Sequence, residues 1–262
     1  MDGVTTLSPT PRSTVRRGKK RARTDRADLY AVLDAVLVCH LAVVLDGAPL
    51  VIPTGFGRDG DTLYLHGSSG AASIRAAGAA AVCVAVTELD GIVYSRSVFN
   101  HSVNYRSAVV HGTARNVTDE AEKLHGLRVL TEHLAPGSWD YARRPNAKEL
   151  AKTSVLALDL AEASVKVRTG PPGDDEDDVA LDATWAGVLP LTRSWGRPQP
   201  CPQLEQQHAV PPHVLRRSTD GDAHGSGRQF DVNGDGGVEA GVEQAVPVAG
   251  AEHAHLARSK RS

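Results

Sequence analysis

The sequence predicts a mainly β fold with α: six or seven antiparallel strands closed into a small barrel, with helices packed around it. Three observations predict it. Between residues 25 and 170, short β-branched apolar runs are separated by turn signals such as "DGAP", "RDGD" and "DG". Helical periodicity is confined to a few segments set apart from those runs. A closed antiparallel sheet also removes the strand edges that a meander of this length would otherwise expose.

The elements follow in order. Residues 1–24 are polar and basic, with Arg16, Arg17, Lys19, Lys20, Arg21 and Arg23 close together. No apolar or aromatic residue interleaves those charges, so the segment is expected as a disordered solvated tail rather than an arm for nucleic acid or anionic lipid. "ADLYAVLDAVL" places Leu29, Val32 and Leu33 on one helical face. "LVCHLAVVL" is continuously apolar and suits a strand buried on both faces. "LVIPTGFG" and "TLYLH" are the next two strands, and a small Ala-rich helix follows. "AAVCVAVTEL", "IVYSRS" and "NYRSAVVHGTARNV" extend the sheet. At Thr118 the period changes: Thr118 can cap a helix, Asp119 and Glu120 suit its first turn, and Leu124, Leu127, Leu130 and Leu134 mark one face. "PGSW" ends it, "NAKELAK" is a shorter helix, and "SVLALDL" and "SVKVRT" are the last strands of the barrel.

Beyond residue 170, "GPPGDDEDD" reads as a solvated loop and "TWAGVLPL" as one further docked strand. From residue 198 the chain is rich in Gly, Pro, Gln, His and charge without apolar periodicity. The organisation expected is therefore a tail over 1–24, one domain over 25–197 and a low-complexity, disordered tail over 198–262. In that last segment Asp231, Asn233, Asp235 and Gly236 imitate the start of a calcium loop, but Val242 holds the position of the bidentate carboxylate and Glu243 comes one residue late.

Composition narrows the function classes. A chain of 262 residues that is 41% hydrophobic but 4% aromatic builds its core from Val, Leu and Ala. A formal charge of −2 argues against a dedicated nucleic-acid binder. No run is long and apolar enough for a membrane span, and no apolar stretch follows the N-terminal charges as a secretory signal would require, so a cytoplasmic protein is expected. Cys39, Cys83 and Cys201 form no C-x-x-C pair, and Cys39 and Cys83 sit in apolar runs as small core residues. Neither a P-loop, a dinucleotide glycine fingerprint nor a zinc-spaced histidine pair is present, although His101 and His111 could face each other.

Three clusters carry chemistry. In "LYLHGSSGAASIRAAG" a strand runs into His66, Gly67, Ser68, Ser69 and Gly70 before the small helix, with Ser73 and Arg75 behind. Free amides at a helix start, hydroxyls and a guanidinium suit an anion, although a plain N-capped turn would use the same residues. "NYRSAVVHG" has polar residues on both faces of a strand's start, Asn104 and Arg106 on one and Tyr105 and Ser107 on the other, which suits a cavity mouth or an exposed strand end. "SVKVRTG" puts Lys166 and Arg168 on one face, which suits a phosphate, a flavin ring or simply an exposed charged edge.

Taken together, "IPT", "LYLHGS", "NYRS" and "KVRTGPP", in this order, resemble the flavin-nucleotide-binding branch of the pyridoxamine 5′-phosphate oxidase superfamily, which includes nitroimidazole-resistance proteins. The likeness spans roughly residues 12–192. It implies a split β-barrel that dimerises, with FMN in grooves between two subunits. On that pattern Pro53 and Thr54 lie along the isoalloxazine edge, and His66, Gly67, Ser68 and Ser69 approach the ribityl phosphate. Ser107 falls where the oxidases place a polar flavin contact, and Lys166 and Arg168 sit in the strand that closes the site. Two departures stand out: "VIPTGF" replaces the basic strand of the pyridoxamine oxidases, and "SSGAASIRAAG" replaces the "SAASRML" of nearer relatives, which displaces Arg75. The expectation is an FMN-dependent oxidoreductase acting on a small molecule such as a nitroaromatic. The alternatives are a non-catalytic split barrel holding flavin or haem, with His66 or His111 as axial ligand, and an interaction protein that uses its basic arm.

Overall fold

The computed structural model describes residues 6–7, 9–204 and 208–219. Its strands are β1 (Ala22–Arg23), β2 (Val38–Leu45), β3 (Ala48–Asp59), β4 (Thr62–Ser68), β5 (Ala81–Tyr94), β6 (Ser102–Thr113), β7 (Arg115–Asn116), β8 (Thr153–Asp159), β9 (Glu162–Arg168) and β10 (Gly187–Pro190). The helices are α1 (Arg26–Ala35), α2 (Ala72–Ala77), α3 (Glu120–Leu134), α4 (Ser138–Tyr141), α5 (Ala147–Lys152), α6 (Glu176–Leu181) and α7 (Pro212–Thr219).

The strands form one antiparallel sheet in the order β1-β9-β6-β5-β2-β3-β4-β8-β7, with β10 added to β5 off the main path. Among the described residues no ladder joins β1 to β7, so the barrel is split and the sheet open, not closed as expected. Closure is not needed to protect these edges, because the two terminal strands are each only two residues long.

The core lies on one side of β2, β5, β6 and β9. Leu41, Phe56, Leu63, Leu65, Val84, Val86, Val110, Leu156 and Leu158 fill it, and Leu29, Val32 and Leu33 of α1 are packed fully into it. Those three helix residues are the ones the periodicity selects, with Asp25 capping α1 by accepting from the Ala27 amide. β2 departs from expectation. Cys39, Leu41 and Val43 are buried while Val38, His40 and Val44 are exposed, so the strand is half-buried. The alternation is invisible in the sequence because both faces carry Val.

α3 begins one residue later than expected, capped by Asp119, which accepts from the Glu122 amide. It buries Gly126 and Leu130 rather than the whole leucine stripe, and Leu134 is exposed. The reason is close approach. A Cβ on Gly57 would stand 2.7 Å from the Val129 carbonyl oxygen, and one on Gly126 would stand 2.9 Å from the Tyr64 ring. Two facing glycines let α3 lie directly on the outer side of β3 and β4. α5 starts with a reciprocal capping box between Asn146 and Glu149, ahead of β8.

The two flanking segments also differ from expectation. Over its described part the basic N-terminal segment is a docked strap: Leu7 is buried in the core, its amide donates to the Thr24 carbonyl at 2.7 Å, and β1 pairs with β9. Glu162 holds the strap through Thr10 and through Arg12, whose Nη2 lies 2.5 Å from Oε2. In the C-terminal segment α7 places His213 against Tyr141, rings 5.1 Å apart, and the Arg217 guanidinium 4.2 Å over the Trp195 ring. The calcium-like stretch at 231–243 lies outside the described residues. Among the described residues no helix is long and apolar enough to cross a membrane.

Gly57→Ala is expected to destabilise the fold by about 1–3 kcal/mol, because backbone rather than a flexible side chain blocks the added methyl. Gly55→Ala, with open space around its Cβ, is expected to stay within ~0.5 kcal/mol of the parent in thermal unfolding.

Candidate functional site

The site is built on the outer face of the sheet, the side that α1 does not cover. Strand alternation sends Val38 and His40 of β2, Pro53 of β3, Ala85 and Thr87 of β5, Ser107 and Val109 of β6 and Lys166 of β9 to this side. Register then places them in rows. One row reads Pro53, His40, Ala85, Val109, Ser164, and the next reads Thr87, Ser107, Lys166.

Two cavities lie along this face. The smaller, about 410 Å³, sits between the strap and strands β6 and β9, and Arg12, Arg16, Tyr105, Ser107, His111 and Lys166 line it. Arg12 is committed to Glu162, which together with Thr10 holds that carboxylate below its ordinary value. The larger cavity, about 710 Å³, is lined by Val38, His40, Thr87, Glu88, Arg193 and Trp195. The segment after β10 forms its rim: the Leu191 amide donates to the Asp90 carbonyl, and Arg193 Nη1 reaches Glu88 Oε2 at 3.0 Å. Burial pushes the Glu88 carboxyl above its ordinary value, against the pull of Arg193 and Arg106. The two cavities meet at one cross-strand pair, since Thr87 of the larger is the direct partner of Ser107 of the smaller.

The residues singled out in the sequence divide into groups. Ser107 and Lys166 are adjacent partners in the smaller cavity. Pro53 shares their face, but four strand spacings separate it from Lys166, roughly 19 Å at ~4.8 Å per strand. Thr54 lies on the opposite side of β3, beside the core-facing Phe56, and its hydroxyl turns to the Gly55 carbonyl. Arg168 is drawn aside to donate to the Asn104 side-chain oxygen, and burial, then Arg21, holds its guanidinium below its ordinary value.

His66, Gly67, Ser68 and Ser69 sit beyond β3, at the end of β4. There the corner spends most of its amides on itself. The Ser69 amide donates to the Lys152 carbonyl, the Gly70 amide to Ser68 Oγ and the Ala71 amide to the Ser68 carbonyl. Arg75 folds back onto the Gly70 carbonyl at 2.5 Å. What stays available is the first turn of α2, which has no side-chain cap, and the exposed His66, whose imidazole the surrounding protein holds below its ordinary value of 6.5. Within one chain this corner therefore stands apart from Ser107 and Lys166. The cationic groove lies at the other end of the face.

Sequence reasoning missed His40, Glu88, Arg193 and Trp195. His40 carried a signal, as a polar residue at an alternating position of an apolar strand. Arg193 and Trp195 stood just past the last docked strand, and only the fold shows what they cover.

A family model described as pyridoxamine 5′-phosphate oxidase matches residues 25–167. No curated protein matches the sequence. Among solved structures, the flavocytochrome Anf3 from Azotobacter vinelandii is 40% identical, covers 80% of this chain and 98% of its own, and superposes with a TM-score of 0.77. The FAD and heme binding protein from Mycobacterium smegmatis is 39% identical over 76% of this chain and 97% of its own, with a TM-score of 0.72. A 5-nitroimidazole antibiotic resistance protein from Bacteroides thetaiotaomicron is fainter, at 22% identity over 56% of this chain and 86% of its own, with a TM-score of 0.45. The split sheet, and a family match across more than half of the sequence, lead to one conclusion: this chain belongs to the pyridoxamine 5′-phosphate oxidase family.

Proposed function

We propose that the protein is a redox protein that binds a flavin nucleotide and a haem side by side on the outer face of its sheet. The observation that carries this reading is the abutment of two differently furnished cavities at the Thr87–Ser107 pair. The smaller offers cations and hydroxyls, the groups that hold phosphate. The larger offers an imidazole, an indole and an arginine in a space large enough for a macrocycle. Two similar solved structures, named as a flavocytochrome and as an FAD and heme binding protein, support the pairing.

The chain's own residues do specific work in this reading. Lys166 and Ser107 orient the flavin's charged tail, and their place in a hydrogen-bonded row fixes its direction. His40 lines the larger cavity, and His66 is kept in the neutral form that ligates iron; the fold offers these two histidines to a haem. His111, by contrast, stands in the cationic groove with Lys166 and serves the flavin side. The arm carrying Arg193 and Trp195 shields the larger cavity from water. Bound flavin supplies two-electron chemistry and bound haem one-electron chemistry. FMN is the family expectation, and FAD shares its ring and first phosphate. A nitroaromatic is the family-level substrate class, and its NADH-driven reduction is the activity to assay.

A homodimer belongs to the same reading. Val38 and Val44 of β2 and Val51 of β3 share the outer face and leave an exposed apolar area there. A second copy laid across it would cover these residues and bring the His66 end of one chain toward the Lys166 end of the other.

The visible spectrum tests the reading. Purified protein, or protein given excess flavin and haemin and then freed of unbound ligand by gel filtration, is expected to show two flavin bands and a Soret band; a colourless protein fraction ends the proposal. His40→Ala and His66→Ala then locate the iron. Loss of the Soret band with flavin bands intact is expected for the residue that holds it, and a spectrum unchanged in both variants removes both from that role. Acidification probes the arm separately. As pH falls, Glu88 neutralises before exposed carboxylates do, and Arg193 loses its charged partner. Deuterium exchange over 191–196, corrected for intrinsic rates, is expected to accelerate in that range and to be fast at all pH in Glu88→Gln; even protection down to about pH 4 would count against the latch.

A further inference from the structure

We infer that Glu88 is a proton-loading group: its carboxylate takes a proton from water when an electron enters the larger cavity and returns it when the electron leaves. This goes beyond the redox reading above and rests on it.

The first observation is placement. Glu88 lines the larger cavity beside Thr87 and is the one acidic side chain among the described residues that line it. Only 9% of its surface is exposed. Alternation turns it to the side of β5 that bears Val84 and Val86, away from the row that holds His40 and Ala85.

The second observation is the set of charges around it. From the segment after β10, Arg193 Nη1 reaches Oε2 at 3.0 Å, and that arginine is itself largely exposed. From β6, Arg106 stands opposite Glu88 in the ladder, but its guanidinium is committed to Asp90, with Nη2 2.7 Å from Oδ1. From β2, His40 is the remaining ionisable side chain of the lining, and residues 35–38 bring no other charge. Asp90 is thus the pinned carboxylate of the group and Glu88 the loosely held one. Burial keeps the Glu88 carboxyl above its ordinary range, against Arg193 and Arg106 and with a smaller push from Asp90. Glu162 is the contrast: fastened by Thr10 and by two nitrogens of Arg12, it is held below its ordinary value. A carboxylate that served only to anchor the arm would gain from the second arrangement.

The third observation is scale. Taken as a sphere, a cavity of about 710 Å³ is roughly 11 Å across, so any charge inside it lies within that distance of the wall. At an effective dielectric of about 20, one added electron at that distance raises a carboxyl's proton affinity roughly tenfold. The balance is simple: the electron comes from the neighbouring reduced flavin or another one-electron reductant, the proton comes from water, and the O–H of Glu88 is the only bond formed. By linkage, the potential of the group in the cavity then falls as pH rises between the two Glu88 values.

Potentiometry tests this. Full-length protein, reconstituted with haemin and flavin and freed of unbound ligand, is poised with redox mediators while the haem bands are followed from about pH 4.5 to 8. The parent's midpoint potential is expected to fall with pH over a window that begins above the ordinary glutamate range. Glu88→Gln is expected to lose that part of the slope, the roughly tenfold ratio of proton affinities collapsing to unity. Arg193→Gln frees the arm as well but keeps the carboxylate. It is expected to retain the slope and to move it to higher pH, because a lost cation favours the neutral acid. Loosening of the arm alone would change both variants alike, and any contribution from His40 is common to all three proteins. Circular dichroism matching the parent shows that the variants fold. A slope retained in Glu88→Gln, a slope lost in Arg193→Gln or left at the same pH, or a parent potential independent of pH overturns the inference and leaves the redox reading standing. Protein that retains no Soret band overturns the haem half of that reading and this inference with it.

Discussion

The pairing of β5 with β6 is the constraint on which the rest depends. It runs from Ala81 opposite Thr113 to Val93 opposite Ser102, with one irregularity near Leu89 and Gly91. Because side chains alternate along a strand, this register decides at once which residues meet α1 and which line the cavities. A slip of one position would turn Val84 and Val86 out to water and bring Thr87 into the core. The same ladder sets Thr87 beside Ser107, so the core and the junction of the two cavities are consequences of one alignment.

Around that frame, a carboxylate is among the attachments of each end of the domain. Glu162 fastens the strap, and Glu88 fastens the arm that follows β10. The two differ in surroundings. Glu162 accepts three side-chain donors at the surface and is held charged, whereas Glu88 is buried and its charge is opposed by burial. As pH falls, the Glu88 attachment is therefore expected to loosen before the Glu162 one.

Much of the fold was legible in the sequence because it rests on local signals. Leu29, Val32 and Leu33 show the buried face of α1, and the turn residues mark the strand boundaries. What was not legible is long-range. No local pattern tells that Arg12 meets Glu162 or that Arg193 meets Glu88, since each pair is more than a hundred residues apart. The strap was missed because, among its described residues, Leu7 alone is a buried apolar side chain. At the corner after His66 the glycines and serines were visible, but the bonds that the Ser68 hydroxyl and carbonyl accept from the Gly70 and Ala71 amides were not. Ser107 and Lys166 were identifiable singly, and only the β6–β9 register reveals them as neighbours.

The two cysteines of the sheet carry a last implication. Cys39 faces the core, where burial pushes its thiol up to about 12, and Cys83, opposite His111 on β6, is also raised by burial. At neutral pH both stay protonated, and sulfur in that state is a poor nucleophile. Held as thiols, these two positions are expected to resist conversion to sulfenic acid or to mixed disulfides, which spares the sheet from oxidative modification.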